Sequence, residues 1–379
     1  MTTAERTGTF AFTPEHDDLR AMVRAFLADR SPEAEVRRLM ETPEGYDPAV
    51  WSVMAQQLGL QGLFVPERFG GVGAGFVELQ IVCEEMGRAL LCAPFLSSAV
   101  LATAALLTSD DAAACERYLP GMADGSTIAT LAVTEAGRSG YAGSWVADDV
   151  TVQAVPDGDG YRLTGEKVFV LDAVVADLVL VVARTEAGPG LFATTSGERI
   201  AMTTLDATRK QGRITFDGTP ASLVGADGGA AAPLAVALDI GAAALAAEQA
   251  GGARRALEMA VEYAKVREQF GRPIGSYQAI KHKCADMLLE VESSTSAAYA
   301  AGWAIDDGSD EIGVLASLAK AYCSEAYHHC AAENIQVHGG IGFTWEHPAH
   351  LYFKRATSTE ILLGSPRHHR ELLAQRLGF

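Results

Sequence analysis

Positive charge is scarce in this chain. Its 379 residues hold 30 Lys and Arg against 48 Asp and Glu, a formal net charge of −18 with a pI near 4.9. Nucleic acid and anionic membrane are therefore poor candidates for the main partner, because phosphate recognition rests on a basic footprint. Cysteine is sparse too: six residues, at 83, 92, 115, 284, 323 and 330, with no CxxC pair. That pattern gives no disulfide framework and reads as reduced core thiols. No window reaches the roughly 18 consecutive apolar residues of a membrane span. The opening MTTAERTGTFAFTPEHDDLRAM has no apolar run behind a basic cluster, so no secretory signal is expected and the expected setting is cytoplasmic. The triplet His328, His329, Cys330 places metal-binding types at adjacent helical positions that point three ways, so no metal site is expected there.

Apolar residues are plentiful, at 49% of the chain, which suffices for two or three cores in one body. From Pro14 to about Ser109 they recur at three and four (Leu19, Met22, Val23, Phe26, Leu27; later Leu79, Val82, Met86), a helical period. Thr13 and Pro14 form a start signal, and PERFGGVGAGF at 66–76 supplies a break. From about Gly125 the texture changes to short runs rich in valine and threonine, with PDGDG as a hairpin turn between two of them. After GADGGAAAP the helical period returns in blocks near 233–267, 275–305, 310–337 and 347–376. The expected architecture is an α+β multidomain chain: an N-terminal helical domain (1–124), a central antiparallel β-domain (125–228) and a C-terminal four-helix bundle (229–379).

Two blocks differ from their alanine-rich surroundings. In REQFGRPIGSYQ, 267–278, Arg267 closes one helix, FGRPIG turns the chain, and Gln278 opens the next helix. A planar guanidinium at a helix junction suits a phosphate or pyrophosphate, since helix starts offer free N–H groups. A tight helix–helix turn with Phe270 packed as a staple fits the same residues, and both readings stay open. QVHGGIGF, 336–343, ends another helix with Gly339, Gly340 and Gly342, where bare peptide N–H groups could approach an anion or simply stop the helix.

Taken together, PERFGGVG, LAVTEAG, GEKVFV, REQFGRPIGSYQ and QVHGGIGF resemble the acyl-CoA dehydrogenase family in order and spacing along nearly the whole chain. The resemblance implies FAD as cofactor and an acyl-CoA dehydrogenase-like fold. It implies that Arg267, Phe270 and Gln278 reach across a subunit interface to the adenine and pyrophosphate half of FAD, with Gln336, Gly339 and Gly340 along the same dinucleotide. Val133 and Thr134 match the strand that addresses the isoalloxazine edge, but RSG at 138–140 stands where the family has GSD. Phe169, Val170 and Leu171 stand for Trp-Ile-Thr beside flavin N5, so an aromatic wall is kept and a hydroxyl is lost. The partners implied are an acyl-CoA substrate, an electron-transfer flavoprotein and a homo- or hetero-tetramer with a homologous subunit.

The family reaction takes a proton from the carbon next to a CoA thioester while hydride leaves the next carbon for the flavin, which calls for one tuned carboxylate. At the family's usual base position this chain has Leu363, and at its alternative position Gly241. Three acids lie nearby. Asp239 is about 200° around the helix from Gly241 and should face away. Glu248 shares the Gly241 face to about 20° but lies roughly 10 Å further along the axis. Glu360 is one turn before Leu363, about 60° off. The candidate bases are therefore Glu248 and Glu360, either of which could equally be an ion-paired or solvated acid. Three functions follow: an FAD-dependent dehydrogenase catalysing α,β-desaturation of an acyl-CoA; a partner subunit without a base; or an acyl-CoA-binding scaffold without flavin.

Overall fold

The computed structural model describes residues 11–136 and 145–379, and the RSG loop lies outside them. Helices α1 (Pro14–Arg30), α2 (Glu33–Met40), α3 (Pro48–Gln56), α4 (Phe76–Ala89), α5 (Thr103–Thr108) and α6 (Ala112–Ala123) come first. Thr13 caps α1 in extended conformation ahead of Pro14, and its backbone N–H donates to His16 Nδ1 at 3.1 Å. A π-helical stretch, Leu96–Ala102, runs directly into α5.

Among the described residues, seven strands then form one sheet: β1 (Ala129–Ala132), β2 (Gln153–Asp157), β3 (Gly160–Leu171), β4 (Leu178–Thr185), β5 (Gly188–Thr194), β6 (Glu198–Ala201) and β7 (Gln211–Val224). The PDGDG turn closes the β2–β3 hairpin, with Asp157 opposite Gly160. Most pairings are antiparallel, but β4 runs parallel to β1 and, at one residue pair, to β2. A parallel neighbour cannot be reached by a tight turn, so the β2–β3 hairpin is inserted between β1 and β4.

The last part holds α7 (Ala231–Val266), α8 (Gln278–Asp306), α9 (Ile312–His338), α10 (Ala349–Ile361) and α11 (Pro366–Arg376). The order of helices, sheet and helices is the expected one. The fourth helical block of the sequence, however, is two helices. Leu363 and Gly364 adopt positive φ, 60° and 108°, and Ser365 with Pro366 starts a new helix, its hydroxyl accepting from His368 N.

Helix α7 is apolar and long enough to cross a bilayer, yet 67% of its most apolar window is buried inside the fold, as in a central core helix. It packs against α4, α8 and α9. The approach to α4 is set by glycine: a Cβ on Gly251 would land on the Glu84 carbonyl oxygen, and one on Gly87 on the Glu248 carbonyl oxygen. Only hydrogen at these two positions lets the backbones come so close.

Candidate active site and cofactor surface

The α10–α11 turn sets the position of Leu363. Lys320 of α9, wholly buried, donates its Nζ to Ser324 Oγ (2.9 Å) and to the carbonyls of Thr359 (3.0 Å), Glu360 (3.2 Å) and Gly364 (3.2 Å). Thr359 and Glu360 lie in the last turn of α10, whose carbonyls have no partner within the helix, and Gly364 lies in the turn that follows. His369 Nε2 donates to the Leu363 carbonyl at 3.0 Å. Burial pushes the Lys320 ammonium down to about 7, against the opposing pull of Cys323 and Glu360.

Held in this way, Leu363 meets Gly241 of α7 and Leu101 of the π-helical stretch. A Cβ on Gly241 would run into Leu101 Cδ2 and come within 3.3 Å of Leu363 Cδ1. Leu101 and Leu363 are both buried. The two positions that held no acid in the sequence are thus one place in space, and apolar carbon fills it.

The three nearby acids are all engaged elsewhere. Asp239 is held by Arg376 of α11 through both oxygens, at 2.8 and 3.0 Å. Glu248 lies in a buried ion cluster, accepting from Arg355 Nη1 at 2.8 Å and from Arg209 Nη2 at 2.5 Å. Arg355 also donates to Asp206 Oδ2 (2.6 Å) and Thr208 Oγ1 (2.5 Å), so the cluster ties the loop before β7 to α7 and α10. Burial alone would raise the Glu248 carboxyl, but Arg209 and Arg355 outweigh it and hold it below the usual range. Glu360, half-buried, has Oε2 3.0 Å from His328 Nδ1.

Two charged residues near the sheet escaped the sequence reading. Lys167, buried on β3, donates to the Val133 carbonyl (2.8 Å) and Glu135 Oε1 (2.6 Å). Burial takes it down to about 8 although Glu135 opposes the shift. Asp172 directly follows Leu171, and its Oδ2 accepts from Ser97 Oγ at 2.6 Å. Burial pushes this carboxyl up to about 6, against Ser97, Arg209 and Arg355. A charged residue between apolar neighbours was the available signal for Asp172 in VFVLDAVV and for Lys320 in VLASLAKAYC, whereas Lys167, next to Glu166 in GEKVFV, gave none.

The β-domain residues matched to flavin recognition gather at the end of β3. The Thr134 hydroxyl donates to the Val168 carbonyl, and Val168 N donates back to Thr134 O at 2.9 Å. Phe169 is half-buried with φ 55°, at a bulge where the β3–β7 register slips between Lys167 and Val170.

On the helical side, Arg267 closes α7, exposed and with no side-chain partner among the described residues. A two-residue hairpin carries Phe270, 92% exposed at φ 54°, so the packed-staple reading does not describe this chain by itself. Gln278, exposed at the start of α8, has Nε2 2.9 Å from His282 Nε2. Gln336 is exposed on α9, and the space around a Cβ at Gly339 or Gly340 is empty to 4 Å. Tyr263, one turn before Arg267, stacks on His338 at 4.3 Å between ring centroids, which joins the two blocks. Beside them opens a groove of about 650 Å³ with Gln336, Phe343, Trp345, Phe353 and Lys354 in its walls. A guanidinium, two amides and the open backbone at Gly340 make a donor set that fits a diphosphate, the Gly339 N–H being taken by the Gln336 and Ile335 carbonyls.

The models of the acyl-CoA dehydrogenase N-terminal and C-terminal domains match residues 13–126 and 227–378. The chain belongs to the acyl-CoA dehydrogenase family. Members of this family are FAD-binding flavoproteins acting on CH–CH bonds. The acyl-CoA dehydrogenase IpdE2 of Mycobacterium tuberculosis is 35% identical over 353 residues, 93% of this chain and 94% of that protein. Among solved structures, a variant of the Tcur3481-Tcur3483 steroid ACAD superposes with a TM-score of 0.85 at 32% identity, covering 96% of this chain and 97% of that one. The ChsE4-ChsE5 complex from Mycobacterium tuberculosis superposes with a TM-score of 0.87 at 28% identity, over 97% of this chain and 98% of that one.

Proposed function

We propose that this chain is the subunit without a base in a heteromeric, FAD-dependent acyl-CoA dehydrogenase, and that a homologous chain supplies the carboxylate. The observation that carries the reading is the meeting of Gly241, Leu363 and Leu101: one apolar contact takes up both base positions. Glu248 is unsuited to the role, since two guanidiniums hold it ionised and a weak base in an ion pair abstracts a carbon-bound proton poorly. The likeness to a two-component steroid ACAD and to the ChsE4-ChsE5 complex supports a heteromer. The steroid ACAD also favours a ring-bearing acyl thioester as substrate.

In this assembly Arg267 and Gln278 would hold the FAD diphosphate, Gly339 and Gly340, with no side chain, would let it approach the backbone closely, and Phe270 would cover its adenine across the subunit boundary. Gln336 would bond along the same dinucleotide, while Val133, Thr134 and Phe169 would flank the ring system. FAD held there would supply the hydride acceptor and the route for electrons to an electron-transfer flavoprotein. The chain's own residues bind, orient and exclude water. We place the protein in the cytoplasm, in keeping with its free cysteines.

A second reading, a self-sufficient dehydrogenase, has one observation behind it: Asp172 is a buried carboxyl raised to about 6, as a base needs, on the residue after Leu171. Co-expression with the homologous chain decides between them. The heteromer should be yellow, should bleach with its acyl-CoA, and should lose bleaching when the partner's carboxylate is replaced by amide. Bleaching by this chain alone, abolished by Asp172→Asn or Glu360→Gln, would overturn the proposal in favour of the second reading.

A further inference from the structure

A second cavity, of about 460 Å³, lies away from this site among α1, α2, the end of α4, α7 and the start of α10. Its size falls within the roughly 300–1,000 Å³ of small-molecule sites. Arg255 on its wall is about 21 Å along α7 from Gly241 at 1.5 Å per residue.

Three arginines face this space, and their partners are unequal. Arg24 is answered by Glu85, which accepts from Nε at 2.8 Å and Nη2 at 2.6 Å. Glu33 is taken by Arg37 at 2.7 Å. Arg88 and Arg255, by contrast, share Glu258: Arg88 Nη1 is 2.6 Å from one oxygen and Arg255 Nη1 is 3.3 Å from the other. The next carboxylate, Glu262, stands 3.4 Å from Arg255 with a side chain 66% exposed, where water weakens it. Arg255 is thus the least tightly paired guanidinium at the cavity wall, in a molecule whose net charge is −18. Leu27, Val36, Met259 and Leu351 line other parts of the cavity with carbon.

We propose that this cavity binds a monoanionic organic carboxylate with an apolar tail, its head between Arg88 and Arg255 and its tail along Leu27, Val36 and Met259. A guanidinium pairs with a carboxylate through charge-assisted bonds, about twice as strong as neutral ones. A dianion fits worse, because Glu85 and Glu258 already stand in the wall and the second charge would go unpaired. The overall negative field repels anions, so any binding must come from the local pair and the apolar wall.

Isothermal titration of the purified full chain with sodium octanoate, 1-octanol and inorganic phosphate tests this site. Octanoate should bind saturably, one per chain, and at least 10-fold more tightly than either 1-octanol or phosphate. Arg255→Gln should weaken octanoate at least 10-fold, about 1.4 kcal/mol. Ala28→Trp should abolish binding by filling the cavity while leaving every charge in place, with the far-UV circular dichroism of both variants unchanged. Equal binding of octanoate and octanol, tighter binding of phosphate, octanoate binding untouched in both variants, or no saturable heat would each overturn the proposal. None of these readouts involves flavin or desaturation, so failure here is separate from failure of the heteromer reading.

Discussion

Replacing Glu248 with Gln separates its two possible roles. In the fold the carboxylate is buried and bridges Arg355 (2.8 Å) and Arg209 (2.5 Å). Glutamine keeps the shape and loses the charge, leaving Arg209 without its carboxylate and Arg355 with Asp206 alone. Breaking a buried pair by removing one partner costs about 3–5 kcal/mol. Because the amide oxygen still accepts one bond and Asp206 remains, the expected loss is at the lower end, about 3 kcal/mol. Urea unfolding followed by far-UV circular dichroism measures it.

The pH dependence gives the sign. The folded Glu248 carboxyl is held below its ordinary 4.5, so its stabilisation is complete above that value and disappears as pH falls through the folded pKa. The gap between wild type and Glu248→Gln should therefore be full at neutral pH and close in acid. A gap under about 1 kcal/mol at neutral pH, against the 3–5 kcal/mol of a broken buried pair, or one that widens in acid, would refute the ion-cluster account.

Arg267→Gln should lower the FAD content of the purified assembly while leaving the chain's own unfolding midpoint unchanged, since the guanidinium has no side-chain partner among the described residues; absorbance at the flavin band and thermal melts report the two. Gly251→Ala should destabilise the chain by about 1–3 kcal/mol or more through overpacking, because its Cβ would strike the Glu84 carbonyl; thermal unfolding checks it. Lys320 is lowered to about 7 from an ordinary 10.5, so the unfolded chain binds more protons between those values. Wild type should accordingly gain stability as pH rises across that window. In Lys320→Met the rise in urea midpoint between pH 7 and 10 should be smaller than in wild type, the part owed to Lys167 remaining.

Much of this protein is written in local pattern. The helical period of Leu19 to Leu27, the valine runs of β3 and β4 and the helix-opening Thr13–Pro14 depend on near neighbours, so the order of helices, sheet and helices could be read directly. The blocks at 267–278 and 336–343 stood out because turn-formers and donors interrupt alanine-rich helices. What sequence distance could not convey is where chain segments meet. Leu363 and Gly241 are 122 positions apart by number, and only the turn fixed by Lys320 and His369 brings them into contact with Leu101. Helical geometry put Glu248 on the right face, but Arg209 and Arg355 arrive from the loop before β7 and from α10, and those partners decide that the carboxylate holds the fold together. The Arg255–Glu258 pair follows from i, i+3 spacing on α7, but the arrival of Arg88 from α4 to share that carboxylate depends on which helices pack there.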